Sequence, residues 1–169
     1  MAAPRSGARY PPPPDTLQCV VDALGHSSRI MGMKSMGRAS TAMYALDVLD
    51  AANRLHRLAL RRFVDAERLG TDPWYVPRHE AEVLRLLDGA DVPAPRLFAA
   101  DVEAEVCDVP TLLTTRLPGR SPGTPSDMDS FLAQLAAALP SIHAVDDQTR
   151  LRLPLYEPYY DPRLLRPPS

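Results

Sequence analysis

The chain has 169 residues, a formal net charge of −2 and 45% hydrophobic residues, enough to pack one domain and a piece of a second. An aromatic share of 6% and the absence of a broad basic field argue against a nucleic-acid surface, which needs clustered cations and stacking rings. No apolar run nears the ~20 residues of a membrane helix, and the leading MAAPRSGARYPPPP lacks the apolar stretch of a secretory signal. A cytoplasmic protein is expected, with neither membrane nor nucleic acid as a partner.

Of the 19 prolines, many crowd the two ends. Residues 1–14 read as a disordered tail, because Pro11 to Pro14 donate no hydrogen bonds and favour an extended chain. Asp15 is expected to cap the first helix, with Gln18 completing a capping box. Leu17, Val20, Val21 and Leu24 then recur on one apolar face, and Gly25 supplies the stop. The two cysteines, Cys19 and Cys107, lie far apart without a pattern. They read as apolar thiols in a reducing compartment and suggest neither a disulfide framework nor a metal site.

From Arg29 to Arg62 the pattern becomes that of short strands. The residues from Ile30 to Met36, those from Met43 to Val48 and the run through Leu58 and Leu60 form an antiparallel meander. It turns at Gly37-Arg38-Ala39-Ser40-Thr41 and again between Asp50 and Arg54. The first turn carries one glycine and two hydroxyls, Ser40 and Thr41, which suit close approach to phosphate oxygens. The third strand ends in Arg61-Arg62. Alternation sends these two side chains to opposite faces, Arg61 in phase with Ala59 and Arg62 with Leu58 and Leu60.

Residues 64–76 read as a charged surface loop. Pro77 opens a helix that carries Glu80 and Glu82 near its positive end and stops at Gly89. Val92 to Phe98 lead into another strand. Val106 to Val109 and Thr111 to Leu117 read as a further hairpin, with Pro110 on an edge or at a bulge. Residues 118–125 are a linker by composition. Ser126 is expected to cap a last helix, with Asp129 in the capping box. Phe131, Leu132, Leu135, Leu139 and Ile142 form its stripe, and Pro140 a kink or break. Beyond Arg150 the chain is too rich in proline for regular structure.

Taken together, MGRASTAMYALDV, LALRRF, HEAEVLRLLDGADVPAPRLFAADV, LLTTRLPGR and FLAQLAAALPSIHAVD resemble the N-terminal half of the aminoglycoside phosphotransferase and choline-kinase-like family. The resemblance covers about residues 29–146. It implies an α+β fold: a protein-kinase-like N-terminal lobe of five antiparallel strands plus a helix over residues 15–117. A linker would follow at 118–125, and then the first helix of a truncated C-terminal lobe within 126–169. It further implies ATP as the bound cofactor. Gly37, Ser40 and Thr41 would lie in the covering loop, Arg61 would be the phosphate-contacting cation and Glu80 its partner carboxylate. Thr115 and Leu117 would meet adenine through the backbone.

The family's His-Gly-Asp catalytic loop, with an Asn after it and a later Asp for magnesium, is absent from this sequence. His143-Ala144-Val145-Asp146 imitates it only superficially. No catalytic and no metal-ligating residue is therefore assigned, and magnesium is expected only together with a further C-terminal part. Partners would be a nucleotide, a small-molecule hydroxyl acceptor in the complete enzyme, and a C-terminal half or a second copy covering the last helix. The alternative expectation is a non-catalytic module that binds a nucleotide or a protein.

Overall fold

The computed structural model describes residues 11–38, 41–119 and 124–145. Helix α1 runs Pro14–Leu24. It is followed by strands β1 (Arg29–Arg38), β2 (Ala42–Leu49) and β3 (Leu55–Arg62), then helices α2 (Ala66–Thr71) and α3 (Pro77–Leu87). Strands β4 (Leu97–Asp101) and β5 (Thr111–Thr115) come next, and helix α4 (Met128–His143) last. The five strands form one antiparallel sheet in the order β1-β2-β3-β5-β4. With a helix set between the third and fourth strands, this is the architecture of a protein-kinase-like N-terminal lobe.

Alternation along the strands builds a different layer on each face. On the outer face Tyr44, Leu46, Val48, Leu58, Leu60 and Leu113 form a buried cluster that is closed by Val20 of α1. Full burial of each such side chain is worth about 1.5–3 kcal/mol. On the opposite face Phe63, Tyr75, Leu112 and Ala81 of α3 form the second cluster. Leu112 and Leu113, neighbours in β5, thus anchor the two layers separately. The β2–β3 turn is tied by Asp50 Oδ1, which accepts the N–H groups of Ala52 at 2.8 Å and Arg54 at 2.9 Å.

Several expectations need correction. Helix α1 starts two residues early, with Pro14 in its first turn and Pro13 as the cap. Proline loses nothing there, since that N–H has no helical partner. Gln18 donates to Asp22 one turn on and not back to the start. Pro12 is buried, so the middle of the proline run packs on the protein; residues 1–10 lie outside the described residues. The stretch 64–76 contains α2, whose cap Asp65 accepts the Arg68 N–H.

No strand forms at 106–109. The Asp101 carboxylate gathers the N–H groups of Glu105, Val106 and Cys107 and bends the segment into a loop, so β5 pairs with β4 instead. Helix α4 is capped by Asp127 and not by Ser126. It also continues through Pro140, with Ala144 donating to the Pro140 carbonyl at 2.9 Å. The carbonyl freed by that proline lies among exposed residues, where water can satisfy it. Leu132, Leu135, Leu139 and Ile142 remain about half exposed. Residues 120–123 of the linker, and everything from Asp146 on, lie outside the described residues. Among the described residues no helix is long and apolar enough to cross a membrane.

Candidate functional site

The two arginines that end β3 separate as alternation requires. Arg62 points to the outer face, where it is 2% exposed and pairs with the Asp108 carboxylate of the β4–β5 connection. Arg61 points to the α3 face. Its Nη1 lies 3.1 Å from Glu80 Oε1, and both side chains are 32% exposed. Two elements fix this meeting. Pairing with β2 and β5 sets Arg61 opposite Met43 and Leu112, and the packing of Ala81 and Leu84 seats α3 so that Glu80 faces the strand.

Burial pushes the Glu80 carboxyl above its ordinary range, and the Arg61 charge opposes that rise without cancelling it. The Arg61 guanidinium also lies 5.1 Å from the centre of the Phe63 ring. Its Nε is buried with no hydrogen-bond partner among the described residues. A cation braced on one side by a carboxylate and on another by an aromatic face keeps one orientation, as a group that receives phosphate oxygens must.

Four residues that the sequence analysis did not single out share this face. Ala45 of β2, Ala59 of β3 and Thr114 of β5 stand in one row across the sheet, giving a strip of small side chains beside Arg61. Beyond that strip Asp47 Oδ1 accepts from Arg116 Nη2 at 2.7 Å. The signal was available for Ala45, Ala59 and Asp47, since period-two alternation places them in phase with Arg61 once the register is known. The reach of Arg116 across two strands was not.

Thr115 and Leu117 lie at the end of β5. The Thr115 N–H donates to the Arg96 carbonyl at 2.9 Å, and its Oγ1 accepts the Arg96 N–H at 2.9 Å. Arg116 N–H donates to the Arg57 carbonyl at 2.9 Å. These donors are used within the protein, and Leu117 is the exposed residue that follows them. In the β1–β2 connection, Gly37 belongs to β1 and Thr41 is 3% exposed. Ser40 lies outside the described residues.

A kinase-like sheet with an arginine–glutamate pair on the face of its helix defines a phosphotransferase-type lobe. The chain belongs to the phosphotransferase enzyme family, whose model matches residues 53–167. That match begins after the β1–β2 connection, so Gly37, Ser40 and Thr41 fall before it. No curated protein matches the chain. Among solved structures it is similar to a protein from Ralstonia eutropha JMP134 that has been proposed to be an aminoglycoside phosphotransferase. The identity is 15% and the TM-score 0.42, over 64% of this chain and 30% of that one. The chain thus spans less than a third of that structure's length.

Proposed function

We propose that this chain supplies the nucleotide-holding lobe of a cytoplasmic, ATP-dependent phosphotransferase that acts on a hydroxyl group of a small molecule. The observation that carries the reading is the Arg61–Glu80 pair at 3.1 Å on a partly open sheet face. In this reading Arg61 contacts the phosphates and Glu80 holds its rotamer. The strip of Ala45, Ala59 and Thr114 seats the flat base, and Leu117 meets its edge through the backbone. Gly37, Ser40 and Thr41 form the cover over the phosphates. Family membership and the strand order both support this assignment.

Binding and chemistry separate in this reading. Phosphoryl transfer needs a carboxylate that orients the attacking hydroxyl and another that holds magnesium, and these supply most of the electrostatic stabilisation. The sequence contains no His-Gly-Asp segment to provide them. The chain by itself therefore binds ATP and does not transfer phosphate. Calorimetric titration with ATP, alongside a magnesium-dependent hydrolysis assay, tests both halves. Saturable binding that is lost in Arg61→Ala, with no turnover, is expected. No binding would overturn the nucleotide assignment, and turnover that survives Asp146→Ala would overturn the inactivity.

A further inference from the structure

The outer face of the sheet holds a pair of groups that nucleotide binding leaves unused. Thr16 Oγ1 of α1 donates to Asp108 Oδ1 at 2.8 Å and pins the start of the helix to the β4–β5 connection. Three residues along, on the same side of the helix, stands Cys19. The neighbour of Asp108 in the chain is Cys107. Both cysteines line one cavity of about 290 Å³ between α1 and the sheet, together with Val20, Leu60 and Leu113.

These are the two cysteines of the chain. The sequence analysis treated them as unrelated, and the fold brings them together. Cys107 is 8% exposed and shares the lining of this cavity with Cys19. Burial first, and then the neighbouring Cys19 thiol, push the Cys107 thiol up to about 12. Cys19 is the more exposed of the two, and its Sγ donates to the Asp15 carbonyl at 3.1 Å. Both backbones are fixed, Cys19 within a helix and Cys107 by donation of its N–H to Asp101 Oδ2 at 2.7 Å.

We propose that Cys19 and Cys107 form a reversible intramolecular disulfide that staples α1 to the β4–β5 connection, with a small disulfide such as oxidised glutathione as the oxidant. Cys19, the accessible thiol, loses its proton to solvent and attacks one oxidant sulfur. One glutathione leaves as thiolate and is protonated. Cys107 then attacks the Cys19 sulfur, its proton passing to the departing sulfur, and the second glutathione leaves as the thiol. Two protein thiols and one oxidised glutathione become one protein disulfide and two reduced glutathiones, a two-electron exchange. The bond closes a loop that contains β1, β2, β3 and α3, so it removes freedom chiefly from the unfolded chain.

The test exposes the purified full chain to oxidised glutathione, caps the remaining thiols by alkylation and maps the peptides by mass spectrometry. The expected product is a monomer with no free thiol and a Cys19–Cys107 cross-link. Its Tm is raised by roughly 10 °C and restored by dithiothreitol. Cys19→Ser treated in the same way keeps a free Cys107 and an unchanged Tm. A product that stops at glutathione on Cys19, disulfides formed only between chains, or two thiols left unreacted would each overturn the proposal.

Discussion

Arg61 and Arg62 are adjacent in β3, carry the same charge and each face a carboxylate, yet the sheet makes different things of them. Arg62 is buried against Asp108 under α1, within a layer of Tyr44, Leu58 and Leu60. Arg61 meets Glu80 where both groups still see solvent, beside a strip of small side chains. In the first pair the guanidinium is enclosed by the packing around it, while the Asp108 carboxylate reaches it from the surface, 40% exposed. The second is braced on both sides and about one-third exposed. The contrast shows how a strand's two-residue period sends the halves of one dipeptide to opposite faces and different partners.

The sharpest way to break this comparison is to remove one member of each pair in turn. Asp108→Ala removes a carboxylate from a guanidinium that is 2% exposed and is expected to lower stability by about 1–3 kcal/mol, read as a drop in denaturant midpoint. Its ATP affinity, once saturated with folded protein, should stay near the wild-type value. If instead Asp108→Ala left stability intact, the division of labour between the two arginines would fail. Arg61→Ala is expected to do the reverse. Loss of one charged hydrogen-bonding group to phosphate weakens ATP binding by about 10–100-fold, with little change in melting. A large fall in stability without a change in affinity would make Arg61 a second structural arginine.

Much of this division was legible in the sequence. The opposite phases of Arg61 and Arg62 follow from alternation alone, and Pro77 and Gly89 bracket α3 because one fits a helix start and the other, at φ 92°, a helix end. What escaped was set by competition between neighbouring groups. Asp15 and Ser126 were reasonable caps, but Pro13 and Asp127 took the role. Helix α2 is six residues long and carries no buried residue, so it leaves no periodic stripe to read; its ties are the Asp65 cap and the Arg68–Asp72 pair. The loop at 105–107 was illegible for another reason. A single carboxylate, Asp101, collects three N–H groups that a strand would have needed. The meeting of Cys19 with Cys107 depends on tertiary packing and leaves no local trace.

The smallest expected effect sharpens the comparison furthest, because it concerns whether the open pair serves stability at all. Burial raises Glu80's carboxyl in the folded chain above its unfolded value of 4.5, and Arg61 only partly offsets the rise. Between those two values the folded protein holds the proton more tightly than the unfolded one. Glu80's contribution to stability is therefore greatest in acid and is lost as pH rises through the folded value. At neutral pH the charged Glu80 works slightly against folding, although it faces an arginine. Glu80→Gln should therefore melt no lower than wild type at pH 7, and slightly higher, with the difference shrinking as the pH falls to the unfolded range. The same variant should bind ATP about tenfold more weakly, since an amide holds the Arg61 rotamer less firmly than a carboxylate. A side chain that costs stability while supporting affinity marks a site shaped for a ligand. Melting curves of the two chains from pH 4 to pH 8 read the sign directly, and a Glu80→Gln protein less stable than wild type at neutral pH would place the Arg61–Glu80 pair with the Arg62–Asp108 pair, as architecture.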